Sequence, residues 1–188
     1  MKKKILMLTA IVLCLTFASL GTIAYYTAED EAQNRIVAGD VSIQIVELTD
    51  ATDENGEPIP FENLTGVMPG AEISKIAMVE NTGSNSVYVR VSVETVIEFA
   101  QETDEIADLS LVALDFNTED WTYSDGYYYY NSVLAPGAST EPLFTTVAFA
   151  PSMGNIYQNS TASVNLIAQA TQSANNGANA LEASGWPE

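Results

Sequence analysis

Val87, Val89, Val91 and Val93 alternate with Tyr88, Arg90, Ser92 and Glu94. A period of two with β-branched residues on one side predicts a half-buried antiparallel strand. The same period recurs upstream, where Val41, Ile43 and Ile45 alternate with Ser42, Gln44 and Val46. It recurs again in Ser163 to Gln172, through Val164, Leu166, Ala168 and Ala170. Further strands are expected over Ile73 to Glu80, Leu109 to Phe116, Trp121 to Tyr123, Tyr127 to Tyr130 and Leu143 to Phe149. Turn chemistry separates them. Asn55-Gly56 lies in a polar stretch with two prolines, Asp50 to Pro60, which reads as a hairpin-like connection or exposed loop. Pro69-Gly70, Asn81 to Asn85 and Pro136-Gly137 mark other turns, and Asp125-Gly126 suits a tight hairpin.

Seven or more short strands and no long amphipathic helix predict an all-β fold. The architecture expected is an antiparallel β-sandwich or jelly roll. Short helical turns are expected only in loops, within the acidic Glu98 to Asp108 and around Asn179 to Ala183.

The first 24 residues read differently. Lys2, Lys3 and Lys4 precede an apolar run from Ile5 to Leu20. Thr22 and Ala24 then place small side chains where a signal peptidase requires them. The apolar run is shorter than the roughly 20 residues that span a bilayer as a helix. No basic stop-transfer cluster follows, since the next charges are Glu29, Asp30 and Glu31. Cleavage is expected between Ala24 and Tyr25. The chain then divides into a signal peptide (1–24), an N-terminal arm (25–38) and one sandwich domain (39–188).

Charge sharpens this picture. The chain holds 25 acidic and six basic residues. Three of the basic ones lie in the signal, so the processed protein keeps Arg35, Lys75 and Arg90 and carries a formal charge of −22. Such a chain repels nucleic acid and anionic lipid, and neither is an expected partner. The single cysteine, Cys14, lies in the signal, and there is no histidine. The processed chain therefore has no disulfide, no Ser-His-Asp or Cys-His catalysis and no HExxH zinc site.

Oxygen ligands close in sequence around a glycine suit calcium. With Gly56 at position six of an EF-hand loop, Asp53, Asn55 and Glu62 fall on ligand positions, but position one is Ala51. These three are the candidate calcium ligands, and no other cofactor is expected. A solvated acidic loop explains the same residues, as it does the second acidic cluster, Glu98, Glu102, Asp104, Glu105 and Asp108. Paired carboxylates for glycosidase chemistry carry no signal among 25 acids. Tyr127 to Tyr130 put alternate rings on opposite faces of a strand, so one pair belongs to the core and the other to the surface. The candidate surface aromatic patch is Trp121 with Tyr128 and Tyr130.

Several stretches, taken in order, resemble the TasA/camelysin family of Gram-positive bacteria. They are Gly21 to Thr27, Ala38-Gly39-Asp40-Val41-Ser42-Ile43, Met68-Pro69-Gly70-Ala71-Glu72, Glu80-Asn81-Thr82-Gly83-Ser84 and Ala168-Gln169-Ala170-Thr171-Gln172. The resemblance implies processing by a SipW-type signal peptidase, a jelly-roll sandwich and secretion. It also implies self-assembly into extracellular biofilm-matrix fibres by donor-strand complementation. Tyr26, Ile36 and Val37 would anchor the donor arm, and no membrane attachment would remain after cleavage. The metalloprotease activity described for camelysins does not carry over, because no histidine exists to hold zinc. The expectation is a non-enzymatic structural protein. The alternative is a monomeric cell-surface carbohydrate-binding module, with a camelysin-type peptidase behind it.

Overall fold

The computed structural model describes residues 40–62 and 68–187. They form two antiparallel sheets packed face to face. The strands are β1 (Ile43–Thr52), β2 (Pro58–Pro60), β3 (Glu72–Asn81), β4 (Val87–Glu98), β5 (Val112–Leu114), β6 (Trp121–Ser124), β7 (Tyr127–Tyr130), β8 (Phe144–Phe149) and β9 (Thr161–Gln172). One sheet has the order β2-β1-β3-β8-β5 and the other β6-β7-β4-β9. Among the described residues helix is limited to 3-10 turns at Leu109–Leu111 and Asn155–Tyr157. The strand expected over Leu109 to Phe116 is accordingly only three residues long.

The alternation in sequence becomes the layer between the sheets. Val87, Val89 and Val91 of β4 are buried, and Val93 packs against them. Ala77 and Val79 of β3, Phe144 and Val147 of β8, and Trp121 fill the layer from other strands. The chain repeatedly crosses from one sheet to the other. β3 leads to β4, β5 to β6 and β7 back to β8, and these three arches stand side by side.

Two glycines hold turns that another residue would disturb. Asp125 and Gly126 both have positive φ, at 49° and 86°, as a type I′ hairpin between β6 and β7 needs. A Cβ on Gly83 would lie 2.5 Å from the Asp40 carbonyl oxygen. That close approach lets Asp40 dock on the β3–β4 turn. Its N–H donates to Ser84 Oγ at 3.0 Å, and its carbonyl accepts from the Ser84 N–H at 3.1 Å. The entry to β1 is thereby fixed.

At the far end of the same strands, the inner face closes with an ion pair. Lys75 Nζ lies 2.7 Å from Glu47 Oε1 and 4.1 Å from the Phe61 ring centre. Lys75 is buried.

Candidate functional site

The four sheet edges differ greatly. β2 is three residues with a proline at each end, β5 is three residues, and β6 is four. Short or proline-bearing edges discourage pairing with another chain. β9 is twelve residues, TASVNLIAQATQ, with no charge, proline or glycine. It pairs with β4 in unbroken register from Val87↔Gln172 to Glu98↔Thr161. Among the described residues nothing pairs with its other side.

The hydrogen-bond phase of β9 follows from the strand ends. The Ser173 N–H donates to the Ser86 carbonyl, one step beyond the Val87↔Gln172 pair. Val87 instead exchanges both backbone bonds with Leu134, on the opposite side of β4. Antiparallel ladders repeat every two residues. Ala162, Val164, Leu166, Ala168 and Ala170 therefore turn their N–H and C=O groups to the open edge. Val164, Leu166, Ala168 and Ala170 pack their side chains against the core. Ile167, with the opposite phase, is 61% exposed on the outer face.

Beneath this edge β9 lies close against β1 of the other sheet. β2 pairs with β1 at Leu48 and Thr52, and the Phe61 N–H extends the contact to the Glu47 carbonyl, so Ile43 to Val46 have no strand on that side among the described residues. Between the sheets lies a narrow apolar crevice, partly open to solvent, with room for about one water molecule and lined by Ile45, Val79, Val91, Trp121, Leu143 and Leu166. Ile45 and Leu166 form its outer lips and are half-buried.

Of the expected aromatic patch, Trp121 is buried, and Tyr128 and Tyr130 are half-buried against the core. Trp121 is 2% exposed, and its Nε1 donates to the Glu141 carbonyl at 3.1 Å. Tyr128 stacks on Phe116 at 4.3 Å, and Tyr130 packs on Trp121 at 5.1 Å. Burial pushes the Tyr128 hydroxyl pKa up, with Tyr123 adding to it. The cause is register: Val91↔Tyr128 puts Tyr128 on the inward face of β4, and Arg90↔Tyr129 puts Tyr129 outside. Tyr127 and Tyr129 are the outward pair, but the C-terminal tail covers them. Arg90 lies 4.0 Å from the Tyr127 ring centre and 4.6 Å from that of Trp186. Its Nε donates to Gln169 Oε1 at 2.7 Å. Asn176 ties the tail down by donating to the carbonyls of Gln172 and Ser184 and accepting from the Ser184 N–H. Sequence reasoning missed this clasp. Its only signal was a tryptophan in a polar tail and an arginine among valines.

Two of the candidate calcium ligands, Asp53 and Asn55, are engaged with each other in a turn. Asp53 accepts from the N–H groups of Asn55 and Glu57 at 2.8 and 2.9 Å, which closes the β1–β2 turn. These bonds, the one from Glu57 foremost, hold its carboxyl below the usual range. Asn55 turns its amide onto Asp53 itself, and Glu62 lies beyond β2. Asp108 of the second acidic cluster caps a 3-10 turn through Ser110. Among the described residues no three acidic side chains are grouped to hold a metal.

Ala24, Tyr25, Tyr26, Ile36 and Val37 lie outside the described residues. The expected cleavage site and donor arm are among them. Comparison of the chain with known protein families, with curated proteins and with solved structures found no match.

Proposed function

We propose that this protein is a secreted structural subunit that assembles into extracellular matrix fibres, and that the arm of one copy completes a sheet of the next. The observation that carries this reading is the β9 edge. An unpaired edge of twelve uncharged residues is a template for an added strand. The arm, residues 25–38, is long enough to cover it. The resemblance to TasA/camelysin precursors points the same way, and the three arches side by side support its jelly-roll part. Export and SipW-type processing after Ala24 would release the arm from the membrane. No catalytic role is assigned to any side chain. The carbohydrate-binding alternative has less support, since Trp121 is buried, Tyr128 and Tyr130 pack against the core and the tail packs on Tyr127 and Tyr129.

Three forms of the protein test this: one starting at Tyr25, one starting at Gly39, and one with a folded tag before Tyr25. Only the first should form fibres under the electron microscope. Equal fibres from the form starting at Gly39 would remove the arm from the mechanism.

A further inference from the structure

We propose that β9 pairs antiparallel with β9 of a second copy about a two-fold axis at Ile167, joining two four-stranded sheets into one of eight strands. The inference uses described residues only and stands without the fibre reading. Pairing and arm addition would claim the same backbone groups, so a subunit in one state is closed to the other.

A two-fold axis makes every contact occur twice, so the strand must match its own reverse. β9 does so in one register. With Ile167 opposite Ile167, Leu166 falls opposite Ala168 of the second copy and Val164 opposite Ala170 of the second copy. All four turn their backbone groups to the open edge, so these pairs exchange N–H···O=C bonds. On the inner face each large side chain then meets a small one. On the outer face Ile167, 61% exposed, meets its own copy at a non-hydrogen-bonded position, where side chains approach closest. Moving the axis to Leu166 would set Leu166 against Leu166 and leave Ile167 opposite Asn165.

Charge selects the same register. Arg90 pairs with Gln169 between β4 and β9, and its Nε donates to Gln169 Oε1 at 2.7 Å. Glu94 pairs with Asn165 in the same ladder. With Ile167 on the axis, Asn165 faces Gln169 of the second copy. A row then crosses the outer face, from Glu94 and Asn165 to Gln169 and Arg90 of the second copy. Arg90 occupies the Gln169 oxygen, so the Gln169 amide N–H donates to Asn165 Oδ1. The Asn165 amide N–H turns to the Glu94 carboxylate. The axis repeats this row in the opposite direction, so each copy places a cation where the other places a carboxylate. The tail leads away from the open edge, since Trp186 packs on Arg90 of β4 and Tyr129 of β7.

The form starting at Gly39 keeps every described strand and has no cysteine, so a single introduced thiol reports the register. Ile167→Cys puts that thiol on the axis. Non-hydrogen-bonded antiparallel partners have Cα atoms about 4.5 Å apart, within disulfide reach. Asn165→Cys is the control, because two residues at 165 stand four positions out of step, about 14 Å apart. With oxidised glutathione as electron acceptor, Ile167→Cys should link into a dimer and Asn165→Cys should not. Sedimentation of the unsubstituted form should show a dimer. Ile167→Glu sets like charges opposite each other at the axis and should raise its dissociation constant by roughly tenfold or more. The Ile167→Glu melt should stay cooperative, since the side chain points outward. A form starting at Gly39 that sediments as a monomer at every concentration would overturn the pairing and leave the fibre reading standing. Equal linking through Asn165→Cys and Ile167→Cys would overturn the register. A dimer indifferent to Ile167→Glu would overturn the contact at β9. A dimer from the form starting at Gly39, with a monomer from the form starting at Tyr25, would uphold the pairing. It would also show the arm closing its own β9, and the fibre reading would fail.

Discussion

Asp115 shows how single polar side chains hold this acidic protein together. It sits in the connection after β5, and its carboxylate accepts from the N–H groups of Thr145 and Thr146 at 2.8 and 2.6 Å, and from the Thr145 hydroxyl. Desolvation pushes its pKa up, but these hydrogen bonds together outweigh it, and the carboxyl titrates below its usual range. The unfolded chain titrates near the ordinary ~3.9. A depressed folded pKa gives stability that is complete above the unfolded value and lost as pH falls through the folded one. Asp115→Asn should therefore flatten the acid limb. Between pH 5 and pH 2.5 its melting temperature should fall less than that of wild type, and parallel curves would remove Asp115 from acid stability. At this scale the sequence was partly legible. Period two separated the tyrosine pairs correctly, but it cannot say which pair faces in. That depends on the Val91↔Tyr128 pairing, a contact across 37 residues of chain that no local pattern encodes.

The strands divide into those their own side chains specify and those their neighbours specify. β4 was legible because its valines keep strict alternation against a polar face. β9 was legible for the same reason. β5 was over-read: Leu109 to Leu111 form a 3-10 turn capped by Asp108, which accepts from the Ser110 N–H, and only Val112–Leu114 find a partner strand in β8. Edge position was not legible at all, since it follows from sheet order and not from composition. Yet composition explains why the position matters, because β9 lacks the lysines, prolines and bulges that blunt edges elsewhere. Ala168→Pro tests this directly. Its N–H faces the open side, so proline there breaks no bond to β4, and edge strands tolerate such a proline. The variant should keep a cooperative melt and lose fibre growth. Undiminished fibres from a folded Ala168→Pro protein would move the acceptor to another edge.

For the whole molecule, the proposed assembly makes charge the control on how readily a second copy meets that edge. Both cations among the described residues are engaged internally, Lys75 with Glu47 and Arg90 between Tyr127 and Trp186. The exterior is therefore dominated by carboxylates, and two copies, each near −22 if cleaved after Ala24 as proposed, would repel on approach. β9 is uncharged along its length, so this repulsion belongs to the surroundings and not to the contact itself. Screening should then speed association without being needed for cohesion. Raising salt from ~0.01 M to ~0.15 M shortens the Debye length from about 30 Å to about 8 Å. Fibre growth should accelerate over that range, then level off as the remaining steps become short-ranged. Lowering pH from 7 toward the sequence pI of 4.1 should act similarly, because ordinary carboxylates begin to take up protons there. Asp53, Asp108 and Asp115, whose hydrogen bonds keep them ionised to lower pH, stay charged through that window and keep their turns closed. Assembly should thus quicken before the fold weakens. Light scattering across both series, with a melting curve at each pH, separates the two effects. Growth that is flat in salt and pH would show that repulsion between copies is not the barrier. Growth that rises only where the melting temperature has already collapsed would mark aggregation of unfolded chain in place of strand addition.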